Sequence, residues 1–115
     1  MWGLDRPVYM ACEHVDMRKS IDGLSLLVSS HFIKNPADGA LYVFCNRGRN
    51  KIKILYWDIN GFCLWYKRLE KGRFCLPVRE GDVCILESRQ LEWLLSGLDI
   101  TKIKGHPRLT YSEFG

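Results

Sequence analysis

Lys51-Ile52-Lys53-Ile54-Leu55-Tyr56-Trp57-Asp58-Ile59-Asn60-Gly61-Phe62-Cys63-Leu64-Trp65-Tyr66-Lys67-Arg68-Leu69-Glu70 is two apolar-rich runs joined by Asn60-Gly61. β-branched and aromatic residues recur in both arms, as a pleated, half-buried surface favours. Asn and Gly tolerate the positive φ angles of a tight type I′ turn, so the stretch reads as a β-hairpin. A two-residue turn at Asn60-Gly61 sets Ile59 against Phe62, Tyr56 against Trp65, Ile54 against Lys67 and Ile52 against Leu69. The other face then carries Trp57, Leu55, Leu64 and Tyr66, with Lys53 opposite Arg68 and Lys51 opposite Glu70. A four-residue loop would change that register.

The pattern extends outward from the hairpin. Leu41 to Asn46 is a further strand, and Arg47-Gly48-Arg49-Asn50 is the turn into Lys51. After Lys71-Gly72, short strands are expected at Arg73–Leu76 and Val83–Leu86. Residues 7–12 form a first strand. Two helices complete the set. Asp16 is a candidate cap for one in which Met17, Ile21, Leu24, Val28 and Phe32 share a face. Gly23 weakens it by up to about 1 kcal/mol, and residues 35–39, Asn-Pro-Ala-Asp-Gly, end it. Ser88 is a candidate cap for the second, with Leu91, Leu94, Leu95 and Leu98 on one face and Gly97 as its stop. The expected fold is α+β: an antiparallel β-meander of about five strands with two helices, with curling toward a barrel left open. Residues 1–100 read as a single domain, and 101–115 as a basic, flexible tail.

The chain has 115 residues, 47% hydrophobic and 26% charged, which suits one globular domain with its own core. The first twenty residues have charges where a secretory signal needs an apolar run. No stretch approaches the ~18 apolar residues of a membrane span. The expectation is a cytoplasmic protein with no membrane partner. The five cysteines have wide, irregular spacings and form no CxxC pair. Buried, reduced thiols are expected rather than disulfides or a zinc site.

The net charge is +4, a mild basic excess whose placement matters more than its size. Lys53 facing Arg68 is unfavourable in isolation, and a phosphate between them would relieve the repulsion. Cations neutralise phosphates, and exposed rings stack on unpaired bases. The hairpin face offers Lys51, Lys53 and Arg68 with Trp57 and Tyr66. Arg47, Arg49, Lys71 and Arg73 extend the basic surface at the adjoining turns. The competing reading is ordinary: strand cations snorkel and aromatic side chains pack.

No catalytic residue is assigned. The aspartates lie mostly at turns and caps, where aspartate has a structural use. Cys12 and His14 could share a strand face, but no second Cys/His pair lies nearby, so no metal is expected. No P-loop, GxSxG or HExxH occurs, and no cofactor is implied.

Several stretches resemble one bacterial family. Asp16-Met17-Arg18-Lys19-Ser20-Ile21-Asp22-Gly23-Leu24 is similar to its DMRKG-x-DGL signature, with Ser20 where glycine is usual. Leu41 to Arg47 looks like LFVF-x-NR, and Lys51 to Asp58 like a strand ending in WD. Gly61 to Phe74 resembles G-x-x-LWYKRLE-x-GRF, and Leu91 to Asp99 resembles L-x-x-LL-x-G-x-D. The family is the TnpB-type accessory protein encoded by the second reading frame of insertion sequence sixty-six elements. The resemblance covers about residues 7–100, and the tail diverges after Asp99.

It implies a role assisting transposition beside a separate, larger transposase, and no catalytic residues. Among matching positions Arg18, Lys19, Lys53, Lys67, Arg68 and Arg73 are basic. Three functions stand as expectations. The first is an accessory protein binding the element's DNA ends or the transposase–DNA complex through phosphate contacts from Lys51, Lys53, Lys67, Arg68 and Arg73. The second is a module that docks on the transposase through Trp57, Tyr66 and Trp93 without touching DNA. The third is a nuclease using Asp16, Asp22 or Asp58.

Overall fold

The hairpin forms as two strands of eight residues, β3 (Lys51–Asp58) and β4 (Gly61–Arg68). The computed structural model describes residues 6–76, 81 and 83–98. The other elements are β1 (Val8–Ala11), α1 (Ile21–Leu27) running on into a π-helical turn (Val28–Phe32), β2 (Leu41–Cys45), β5 (Val83–Leu86) and α2 (Ser88–Leu95). The expected tail, residues 101–115, lies outside the described residues.

The sheet order is β4-β3-β2-β1-β5. β2, β3 and β4 are the expected antiparallel meander, and β5 joins β1 antiparallel. β1 and β2, however, run parallel, with Val8 opposite Leu41 and Met10 opposite Val43. The sheet is therefore mixed. A parallel pair needs a crossover of a dozen or more residues, and α1 with its flanking loops supplies it. The sheet stays open, because β4 and β5 lie at its two ends.

Helices cover both faces. α2 packs over Val8, Met10, Val43, Ile52 and Ile54 through Leu91, Leu94 and Leu95. α1 and the π-helical turn cover Tyr42, Phe44 and Leu55 through Leu24, Val28 and Phe32. All five residues of β2 are buried, since this central strand has a helix above and below. That is why it reads as an unbroken apolar run and not as an alternation.

Four local details differ from the sequence reading. The first helix begins after Ser20, not at Asp16. The Asp16 carboxylate instead accepts the Arg18 backbone N–H at 2.9 Å, closing a tight turn ahead of the helix. The second helix is capped one residue early, by a reciprocal pair in which the Glu87 N–H donates to Gln90 Oε1 at 2.8 Å. Arg73–Leu76 is not a strand; buried Phe74 anchors it, its N–H donating to Arg49 O at 2.6 Å.

The hairpin register is the fourth. Asp58 pairs with Gly61, so Ile59 and Asn60 form the turn, and every pairing moves by two residues. Tyr66 lies opposite Lys53, and Arg68 opposite Lys51. A shift of two leaves each side chain on its expected face. It replaces the expected Lys53–Arg68 opposition with Lys51 opposite Arg68, so two cations still face each other, and Arg68 is paired with Glu70. Ile59 adopts φ 53°, a left-handed conformation that is costly for a β-branched residue. Trp57 packs edge-on against its partner Phe62, ring centroids 5.1 Å apart.

Cys45, Cys63 and Cys75 are free thiols. Burial pushes the Cys45 thiol up to about 11, so it stays protonated and inert at neutral pH.

Candidate nucleic-acid interface

α1 covers its face of the sheet toward the tip of the hairpin, over Leu55, Phe62 and Leu64. At the opposite end of β3 and β4 the face opens into a groove of about 760 Å³. Its floor is Lys51, Lys53, Leu64 and Tyr66. One wall is the loop His14–Arg18, and the other is the turn Asn46–Gly48. Four cations line it, Arg18, Arg47, Lys51 and Lys53, against one carboxylate, Asp16.

Each wall is held by its own bonds. Asn46 Oδ1 accepts the backbone N–H groups of Asn50 and Lys51, both at 3.0 Å, and its amide donates to Asn50 Oδ1 at 2.8 Å. This side-chain bracket presents Arg47 and Arg49 outward, with Arg49 itself at φ 59°. On the other wall, Lys53 Nζ donates to Met17 O at 2.7 Å and Lys19 O at 2.9 Å, clamping the loop to the sheet. The same ammonium lies 5.8 Å from the centroid of the Tyr66 ring. Tyr66 is 48% exposed and available from the groove.

Asp16 and Arg18 pair at 2.8 Å. The Arg18 guanidinium, then its backbone N–H, hold the Asp16 carboxyl down to about 2. Part of the positive field of Arg18 is thus neutralised locally, leaving Arg47 and Lys51 as the groove's more available cations.

Of the residues singled out in the sequence, Arg18, Arg47, Lys51, Lys53 and Tyr66 come together here. The others do not. Lys19 lines a neighbouring cavity of about 350 Å³ with His31 and Phe44. Arg49 faces a third, of about 300 Å³, beside Cys12 and Cys45. Trp57 is half-buried at the far end of β3, near the hairpin tip. Lys67 belongs to the opposite face of the sheet, where its Nζ donates to Leu95 O at 2.7 Å at the C-terminus of α2. The sheet thus separates Lys67 from Lys51 and Lys53, with which it was expected to share phosphate contacts. Arg68 is exposed and paired with Glu70 at 2.9 Å, and Arg73 is exposed at the turn after β4.

Sequence reasoning missed His14, Asn46 and the backbone of the loop 14–18. The available signal was Asn46 and Asn50 flanking Arg47-Gly48-Arg49, since asparagine side chains often close such turns. The three aspartates considered for nuclease chemistry are dispersed. Asp16 pairs with Arg18, Asp22 lies in the first turn of α1, and Asp58 faces Arg6 at 3.5 Å at the hairpin end. Among the described residues no three His, Cys, Asp or Glu side chains are grouped to hold a metal. No helix among them is long and apolar enough to cross a membrane.

Comparison with known proteins identifies the family of the chain. The family model described as IS66 Orf2 like protein matches residues 6–105. Two proteins of Sinorhizobium fredii are similar. Uncharacterized protein y4hO is 39% identical over 104 residues, spanning 90% of this chain and 87% of its own length. Uncharacterized protein y4jC is 31% identical over 100 residues, spanning 87% and 86%. No solved structure matches. The chain therefore belongs to the IS66 Orf2-like family, which associates it with transposition as an accessory protein of an insertion sequence.

Proposed function

We propose that the chain assists transposition by holding DNA at the basic groove, with no catalysis of its own, alongside an element-encoded transposase in the cytoplasm. The observation that supports this is the convergence of Arg18, Arg47, Lys51 and Lys53 around an exposed Tyr66. Arg47 and Lys51 neutralise phosphates and release their counterions. Tyr66 offers a stacking face to an unpaired base at the end of the element. Lys53 acts indirectly, by fixing the wall that carries Arg18.

The test is fluorescence anisotropy of the protein with duplex and single-stranded DNA from the element's ends, titrated across salt. Binding is expected to weaken steeply with salt. Arg47→Gln with Lys51→Gln should lower the salt slope by about 0.7–0.9 per contact removed. Absence of binding at low salt, or a double variant that binds like the parent, would sink this reading.

A second reading is docking on the transposase without DNA contact. Leu26 and Ile33 favour it, being 68% and 77% exposed on and just beyond the α1 segment. The tryptophans first considered for docking are less available: Trp57 is half-buried against Phe62, and Trp93 is half-buried with Arg89 over its ring. Co-purification with the transposase that survives nuclease treatment and is lost in Leu26→Asp would favour docking.

A further inference from the structure

β4 is an edge strand of eight residues, unusually long and apolar for an unpaired edge. Its hydrogen-bond phase follows from the structure. Leu69 N–H donates to Asn50 O, so Asn50 and Leu69 are a bonded pair. In an antiparallel ladder bonded and non-bonded pairs alternate. Lys67, Trp65, Cys63 and Gly61 therefore bond inward to β3. The backbone N–H and C=O groups of Phe62, Leu64, Tyr66 and Arg68 point outward, and no β-ladder partner takes them among the described residues.

We propose that this edge pairs with β4 of a second copy of the chain, antiparallel, joining two sheets into one. An outward array at alternate residues is complementary to itself. With Phe62 opposite Arg68 and Leu64 opposite Tyr66 of the second copy, every outward group in β4 meets a counterpart. Trp65 then lies on the two-fold axis facing its own equivalent, and Cys63 faces Lys67 of the second copy.

Charge favours this occupant and this direction. Both cations of β4, Lys67 and Arg68, lie at its C-terminal end. Antiparallel self-pairing sends them to opposite ends, opposite Cys63 and an aromatic ring, so no like charges face each other. A parallel arrangement would set them side by side. Opposed side chains share a face, so both basic grooves open on the same side of the joined sheet. Leu64 of the second copy lies beside Tyr66. The pairing stands or falls without reference to DNA.

Sedimentation equilibrium of the full chain, from about 1 μM to about 1 mM, spans the affinities expected of a small interface. A monomer–dimer equilibrium is expected. Tyr66→Pro removes an outward donor while sparing the inward ladder, as proline is tolerated on an open edge. It should weaken the dimer at least about tenfold, with the far-ultraviolet circular dichroism retained.

Lys67→Cys provides an independent check. Within one strand, positions 63 and 67 are roughly 13 Å apart, too far to bridge. Across the dimer, a non-bonded pair lies about 4.5 Å apart at Cα, within disulfide reach. Mild oxidation should give a covalent dimer, lost when Cys63→Ser is added. A monomer across the whole range, a dimer indifferent to Tyr66→Pro in a folded variant, or a cross-link that survives Cys63→Ser would overturn the proposal.

Discussion

Lys53 and Lys67 sit on the same hairpin, one on each face, and both spend their ammonium on backbone carbonyls. Lys67 reaches the last turn of α2, where free carbonyls and the helix dipole welcome a cation. Lys53 reaches a loop that leads into α1. The difference lies in what remains around them. On the α2 side, Ile52, Ile54, Leu94 and Leu95 close over the sheet, and Lys67 seals the edge of that core. On the α1 side, the helix covers Leu55 and Leu64 but not Lys51 and Tyr66. The same residue type finishes a core on one face and floors a groove on the other.

Deep in the α2-side core, Ile54 is fully buried opposite Trp65. Ile54→Ala removes buried methyl groups and leaves a cavity, so it should cost about 2–5 kcal/mol in chemical denaturation. Tyr66→Ala, on the groove side, should stay within about 0.5 kcal/mol, as surface changes do. A comparable loss at both positions would break the contrast between the faces.

The two lysines give a finer version. Lys67→Met keeps an apolar stem but leaves the Leu95 carbonyl without its charged donor. It should cost about 1 kcal/mol and fray the end of α2, seen as faster amide exchange there. Lys51 makes no such bond among the described residues, and Lys51→Met should leave stability within about 0.5 kcal/mol. If Lys67→Met were silent, its bond to Leu95 would be an incidental surface contact.

How far these differences could be read beforehand depends on the physics of each element. The hairpin arms were legible because alternation of side chains across a strand survives any even shift in register. The turn itself was not. Asn60-Gly61 is the better turn sequence by propensity, yet Ile59 takes the positive φ and Trp57 packs on Phe62. The observed register sets Trp57 edge-on against Phe62, a cross-strand contact that no dipeptide rule carries. The parallel pairing of β1 with β2 was hidden because strand direction has no signature in composition. The length of residues 12–40, with a helix inside, was the available clue. Of the groove, the cations were visible as a basic hairpin face. Alternation set Lys67 on the face of Ile54, but that the end of α2 would take its ammonium was not visible, because that contact joins residues far apart in the chain. Arg47 was legible as a turn residue, but its place beside Arg18 depends on the Lys53 clamp, a contact between residues far apart in the chain.

The smallest effect concerns the groove wall alone. The Asp16 side chain is about half exposed, and its pairing with Arg18 lowers its pKa to about 2. For a carboxyl depressed in the folded state, the favourable contribution is complete above the unfolded pKa. It is lost as pH falls through the folded value. The wall should therefore be unchanged from neutral pH down to about 4 and loosen only between about 4 and about 2. Carboxyl chemical shifts of Asp16 followed by NMR should titrate at the bottom of that window. In Arg18→Ala the midpoint should return toward the ordinary aspartate range, because the guanidinium is the first cause of the shift. Lys53→Met should move that midpoint little, since its ammonium bonds to the carbonyls of Met17 and Lys19 and not to the carboxylate. A large shift in Lys53→Met would mean that the clamp and the Asp16–Arg18 pair form one unit, and that the groove wall is held from the sheet rather than by its own turn.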